Sequence, residues 1–160
     1  MAIKQGEKLP DVQVTEVVDG KPTPVALSEL AKGKRIVLFA VPGAFTPTCS
    51  LKHLPGFVDH AAALRAKGVA DVFCVAVNDP FVMDAWGKQS GVAGKVRMLA
   101  DGNGTLARAL GLTMDGSAFG LGERSQRYAM VINDGTVEKL LVEPGPGLAA
   151  SSAESVLGAL

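Results

Sequence analysis

The sequence predicts an α/β domain with a central mixed sheet flanked by helices. Two nearly unbroken apolar runs of strand length, residues 35–41 (RIVLFAV) and 72–77 (VFCVAV), have the pattern of strands buried on both faces, and a helically spaced stretch lies between them. A hairpin follows further on, residues 128–132 and 137–142 joined through Asp134-Gly135, which brings in antiparallel pairing. With 160 residues, 48% of them hydrophobic, the chain suits one domain and one core spanning residues 1–160.

The remaining elements fall around these. Residues 12–18 alternate apolar and polar as a half-buried strand does, and the turn at Asp19-Gly20 leads to residues 24–27 as its hairpin partner, an N-terminal β addition. Pro42 ends the first central strand. Helical spacing at Phe57, Val58, Ala61, Ala62 and Leu64 closes on Lys67-Gly68, a basic last turn before a glycine stop. Asn78-Asp79-Pro80 supplies a capping side chain and a first-turn proline for a helix running through Trp86 to Ser90. Residues 96–100 form a third short strand and residues 105–110 a short helix stopped at Gly111, whereas residues 113–123 show no period and read as a loop. Ser151 with Glu154 makes a capping box ahead of a closing helix to Leu160. The order βαβ, α, ββα is that of a thioredoxin-like domain, with an N-terminal hairpin extension and one inserted strand and helix.

Composition excludes several classes of function. Sixteen basic and sixteen acidic side chains are interspersed, so no basic stripe exists for nucleic acid or anionic lipid. The start of the chain, MAIKQGEKLPD, lacks a secretion signal, and no stretch has the length of charge-free apolar residues that crosses a bilayer, so a soluble, cytoplasmic protein is expected. Two cysteines do not make a disulfide framework. In a reducing compartment each is catalytic, metal-binding or buried packing, and local context must decide.

That context singles out Cys49. It lies in the segment PGAFTPTCS, directly after a central strand and in the opening turn of the next helix, where unpaired N–H groups and the positive end of the helix dipole favour a thiolate. Ionisation alone raises the reactive fraction at neutral pH about tenfold, while intrinsic nucleophilicity falls with the pKa. A fast reaction needs fixed donors as well, aimed at the charge that develops when a bond to oxygen breaks. Thr46, three residues before, offers a hydroxyl. The backbone N–H groups of Thr48 and Cys49 are free at a helix start, and the Pro42 ring offers a wall without a competing N–H.

The spacing Pro42-xxx-Thr46-xx-Cys49 resembles the active-site motif of peroxiredoxins. PGAFTPTCS with the following KHLPGF is similar to the subfamily of the mammalian type 5 and plant type II enzymes, and VNDPFVMDAWG, LADGNGTLARALGL, RSQRYAMVINDG and VEPGPG continue the likeness in order over nearly the whole chain. The resemblance implies a thiol peroxidase in which Arg127 is the cation over Cys49, Arg124 being the competing candidate three residues earlier. It implies that Cys49 attacks hydrogen peroxide or an organic hydroperoxide and becomes a sulfenic acid, returned by an external thiol. Some relatives carry a resolving cysteine just before the last helix. Here that stretch reads GLAAS, and Cys74, mid-strand in VFCVA, reads as buried packing, so a one-cysteine mechanism is expected. The resemblance points to glutathione with glutaredoxin, or thioredoxin, as reductant, and to a homodimer with loops near the active site at the contact.

Other features have plainer readings. His53 and His60 assemble no zinc set and read as surface or interface residues, so no metal and no cofactor are expected. A cysteine hydrolase would need a histidine paired to Cys49, and no catalytic signature surrounds His53 four residues on. A redox sensor using Cys49 is the other alternative. The loop Asp101-Gly-Asn-Gly104 lacks the spacing of nucleotide loops and reads as a turn and helix cap, and Trp86 reads as core, with Phe45 and Phe119 either core or interface.

Overall fold

The computed structural model describes residues 2–145 and 147–160; Pro146, within the VEPGPG segment, and Met1 lie outside the described residues. Nine strands and six α-helices follow one another in the order β1 (Gln13–Val18), β2 (Lys21–Ala26), α1 (Leu27–Ala31), β3 (Arg35–Ala40), α2 (Leu54–Asp59), α3 (Ala61–Ala66), β4 (Asp71–Ala76), α4 (Pro80–Ser90), β5 (Arg97–Ala100), α5 (Thr105–Leu110), β6 (Thr113–Asp115), β7 (Glu123–Ser125), β8 (Tyr128–Asn133), β9 (Thr136–Val142) and α6 (Ala153–Ala159) among the described residues. Seven strands form one mixed sheet in the order β2-β1-β5-β4-β3-β8-β9. The pairs β3–β4 and β4–β5 are parallel, and β1–β2, β1–β5, β3–β8 and β8–β9 are antiparallel. This is the thioredoxin-like arrangement with the hairpin β1–β2 and the insert β5–α5 added at one side.

The apolar runs of β3, β4 and β8 arise because both faces of the sheet are covered. Val37, Phe39, Val72, Cys74, Ala129 and Val131 point to one face, where Leu54, Phe57, Leu64, Met83, Trp86 and Val156 from α2, α3, α4 and α6 close over them. Ile36, Leu38, Phe73, Val75, Met130 and Ile132 point to the other, against Leu27, Leu106 and Leu110 from α1 and α5. The period of two along each strand therefore separates two apolar layers rather than core from solvent.

Four expectations need correction. Residues 113–123 are not a featureless loop but a small hairpin, with Thr113 opposite Ser125 and Asp115 opposite Glu123. Its strands have three residues each and are partly solvated, too short for any period to show. Leu27 is not the end of β2 but the start of the five-residue α1, which has no side-chain cap to announce it. The helix after Pro42 is interrupted: Pro47 and Thr48 are helical, Cys49–His53 form a π-helical turn, and α2 and α3 are separated at His60. The cap of α6 is Ser152, whose hydroxyl oxygen accepts from the Ser155 N–H at 3.1 Å, while Ser151 turns inward and is fully buried.

The cap of α4 is as the sequence suggests. The Asp79 carboxylate accepts from the Val82 N–H at 2.9 Å, and Gly91 ends the helix with φ of 68°. Replacing Asp79 by Ala should lower stability by about 1 kcal/mol with the fold intact, measurable by urea denaturation.

Candidate active site

Strand register assembles the site. Ala40, the last residue of β3, pairs with Tyr128, the first of β8, and Tyr128 pairs with Val142 of β9. Arg127 and Glu143 thus flank the point where the chain leaves β3 for the segment Pro42–Cys49, and the Glu143 N–H donates to the Arg127 carbonyl at 3.0 Å. Phe45 adopts a positive φ of 64°, a conformation rare for a bulky residue. The Asn78 side chain holds that bend by accepting from the Ala44 N–H at 2.9 Å.

Cys49 begins the π-helical turn, in which the Leu54 N–H donates to the Cys49 carbonyl. Such turns are single extra residues in a helix and occur often at functional sites. The first helical backbone bond runs from the Ser50 N–H to the Thr46 carbonyl at 2.9 Å, so the N–H groups of Thr48 and Cys49 lie ahead of the ladder. Cys49 is fully buried in the apolar layer shared with α2 and α4. The Thr46 hydroxyl donates to the Gly43 carbonyl at 2.6 Å rather than to the sulfur, which leaves its lone pairs free to accept.

The two candidate cations separate clearly. Arg127 is buried, and its Nη2 donates to Cys49 Sγ at 3.2 Å. Arg124 faces backbone instead, donating to the Leu121 carbonyl at 2.8 Å and to the Pro42 carbonyl at 3.4 Å. A cavity of about 330 Å³ opens beside Arg127, walled by Pro42, Met114, Gln126, Glu143 and Pro144. A larger groove of about 710 Å³ lies between residues 51–60 and 148–155, and Cys49 does not line it. Cys74 is fully buried on β4 opposite Phe39 of β3, and burial, with the nearby Cys49 adding to it, pushes its thiol well up. Trp86 is core, its Nε1–H donating to Ser50 Oγ at 3.0 Å, whereas Phe45 and Phe119 are exposed. Asp101 caps α5 through the Leu106 and Ala107 N–H groups, both at 3.0 Å. Among the described residues no three of His, Cys, Asp and Glu converge as a metal site.

His53 is the residue the sequence reading misplaced. It is not at the surface: it is fully buried, packed beside the stacked rings of Phe39 and Phe57 at ring-centroid distances of 5.0 and 5.6 Å. Arg127 Nη1 lies 2.9 Å from its Nδ1, and its Nε2 lies 2.9 Å from the Ser151 carbonyl. Because a guanidinium only donates, Nδ1 must accept and Nε2–H must donate, which fixes the neutral tautomer. Both ring nitrogens are engaged, so the imidazole has none left to serve as a base on Cys49. The available signal was the spacing of four residues between Cys49 and His53, which places both on one side of a helix.

The comparisons with known proteins identify the family. The chain matches the Redoxin family over residues 4–157. It is 51% identical to Peroxiredoxin-2E-2, chloroplastic, of Oryza sativa subsp. japonica over 163 residues, covering 99% of this chain and 72% of the relative. This chain belongs to the peroxiredoxins. The structure of reduced Prx3 from Vibrio vulnificus in complex with H2O2 superposes on this peroxiredoxin with a TM-score of 0.94 at 48% identity, covering 98% of each chain. A Burkholderia cenocepacia structure provisionally named a thioredoxin reductase superposes with a TM-score of 0.98 at 49% identity, covering 100% of this chain and 99% of the other. That name is not carried over, since the loop 101–104 has no dinucleotide fingerprint. As a peroxiredoxin the protein is a peroxidase that oxidises thiols.

Burial, opposed by the Ser151 carbonyl and aided by the Arg127 charge, lowers the His53 pKa from 6.5 to about 4, with Glu143 pulling weakly the other way. The unfolded chain therefore takes up a proton at this residue below pH 6.5 and the folded chain only near pH 4, so stability falls as pH drops through that window. The loss at this residue should reach about 3 kcal/mol. Urea unfolding at pH 7 and pH 4.5 measures it, and a His53→Asn variant should show a flatter dependence over the same range.

Proposed function

We propose that Cys49 is the peroxidatic nucleophile of a one-cysteine peroxidase acting on hydrogen peroxide and organic hydroperoxides. The observation that carries this reading is the buried Arg127, held by His53 on one fork and 3.2 Å from Cys49 Sγ on the other. A sulfur anion and a fixed guanidinium define where a peroxide sits: one oxygen against the sulfur, the other toward the cation and the free N–H groups of Thr48 and Cys49. The thiolate attacks the near oxygen, the S–O bond forms as the O–O bond breaks, and the departing oxygen leaves as water or alcohol after taking a proton. Cys49 is left as a sulfenic acid. Thr46 accepts a hydrogen bond from the peroxide O–H, consistent with its own hydroxyl donating to the Gly43 carbonyl, and Pro42 shields the sulfur from bulk water. Electrostatic preorganisation of this kind, rather than the thiol alone, supplies the rate.

Return of the sulfenic acid falls to an external thiol. The stretch before α6 has no cysteine, and Cys74 is a fully buried strand residue with its thiol held protonated. One thiol condenses with the sulfenic acid to a mixed disulfide and water, and a second releases Cys49. Glutathione with glutaredoxin is the favoured donor and thioredoxin the alternative. Exposed Phe45 beside Trp86, with exposed Phe119 in the loop of the β6–β7 hairpin, supports self-association as a homodimer. We place the reaction in the cytoplasm.

Cys49→Ser should abolish peroxide consumption, while Cys74→Ser should retain most of it; equal losses would overturn these roles. Arg127→Ala should slow peroxide reduction by about 10²–10³-fold in stopped-flow measurements. A coupled assay comparing glutaredoxin with thioredoxin identifies the donor, and sustained turnover with either excludes a sensor that fires once.

A further inference from the structure

We propose that Glu143 is a positioning residue for peroxide reduction, acting on Arg127 through Ser151 and His53. The inference rests on the roles assigned above to Cys49 and Arg127.

Glu143 follows β9 and is buried. Its Oε1 accepts from the Ala149 N–H at 2.9 Å. Its Oε2 accepts three times, from the Ala150 N–H at 2.7 Å, the Ser151 N–H at 2.6 Å and the Ser151 hydroxyl at 2.7 Å. No lysine or arginine pairs with it among the described residues. The negative charge is held by neutral donors alone, and all of them belong to one strap, residues 149–151. One oxygen with three donors is a demand that a carboxylate meets and a carboxamide does not, since an amide presents a single acceptor oxygen and turns its NH2 toward another N–H.

The strap matters because of what it carries. The Ser151 carbonyl is the acceptor for His53 Nε2–H, and that bond is what leaves Nδ1 free to accept from Arg127. A strap that drifted would leave a buried N–H without a partner, which costs about 1–3 kcal/mol unless the ring turns to find another. A turned ring no longer meets Nη1, and the guanidinium loses one of the two contacts that aim it at Cys49. Glu143 grips the same arginine from the main chain, its N–H donating to the Arg127 carbonyl. From carboxylate to sulfur the links are Glu143, Ser151, His53, Arg127 and Cys49, each between 2.6 and 3.2 Å. A plain loop staple would need none of the last three.

The test compares two reactions of the same sulfur. Peroxide reduction needs the guanidinium aimed at the departing oxygen, whereas alkylation of Cys49 by iodoacetamide needs the thiolate and access to it but no donor for a departing oxygen. Glu143→Gln should slow H2O2 reduction by about ten- to hundredfold, as a misplacement of this kind does, and leave alkylation nearly unchanged. His53→Ala should slow H2O2 reduction similarly, and the double variant should be no slower than His53→Ala, because both act on one chain of contacts. Ser151→Ala, which removes a single donor, should give a smaller loss that likewise vanishes in the His53→Ala background, and it serves if Glu143→Gln does not fold. The proposal is overturned by a Glu143→Gln variant with the wild-type peroxide rate, by equal losses in both reactions, or by losses that multiply with those of His53→Ala. Arg127→Ala distinguishes the levels: if it retains the peroxide rate, the site assignment itself falls, whereas a slow Arg127→Ala beside an unimpaired Glu143→Gln removes only the inference.

Discussion

The contact between the Arg127 guanidinium and the Cys49 sulfur is the interaction around which the rest of this structure is arranged. A buried cation is costly unless each of its donors is met, and here the acceptors come from distant parts of the chain. The antiparallel pairing of β8 with β3 supplies the position, because Tyr128 lies opposite Ala40 and so sets Arg127 beside the segment leaving β3. The π-helical turn supplies Cys49 and His53, one to each fork of the guanidinium. The sheet is a scaffold that brings a strand start and a helix start to one point.

Local backbone chemistry then fixes what the sheet has brought together. Asn78, in the loop after β4, ties down Ala44 next to the strained Phe45, and Thr46 bonds back to Gly43, so the segment before Cys49 is held by its own turn and by a neighbouring loop. Behind His53, the stacked rings of Phe39 and Phe57, 4.0 Å apart, exclude water from the imidazole. Exclusion keeps the ring neutral, and neutrality keeps it an acceptor for the arginine.

Much of the fold was legible because buried parallel strands and glycine-ended helices leave strong marks. Residues 35–41 and 72–77 run through strands covered on both faces, and Gly68 and Gly111 adopt the positive φ that follows α3 and ends α5. What escaped was short or shifted by one position. The three-residue strands β6 and β7 carry no period, and Ser152 rather than Ser151 caps α6 because Ser151 is drawn to Glu143. At the site, Cys49, Thr46 and Pro42 stand in one short motif. Arg127 is 78 residues from Cys49, and nothing in local spacing marks it; only the family likeness does. His53 was hidden for another reason: its partners, Arg127 and Ser151, both come from elsewhere in the chain, so only its four-residue spacing from Cys49 pointed to the site.

The complete enclosure of Cys49 has a further bearing on how two very unequal visitors reach one atom. On the reading proposed for Cys49, a peroxide brings only two oxygens and needs a small displacement of the walls. A thiol donor brings an entire molecule behind its sulfur and needs a wider opening. On that reading bulk alone favours the oxidant, and recovery depends on how readily this corner of the protein yields.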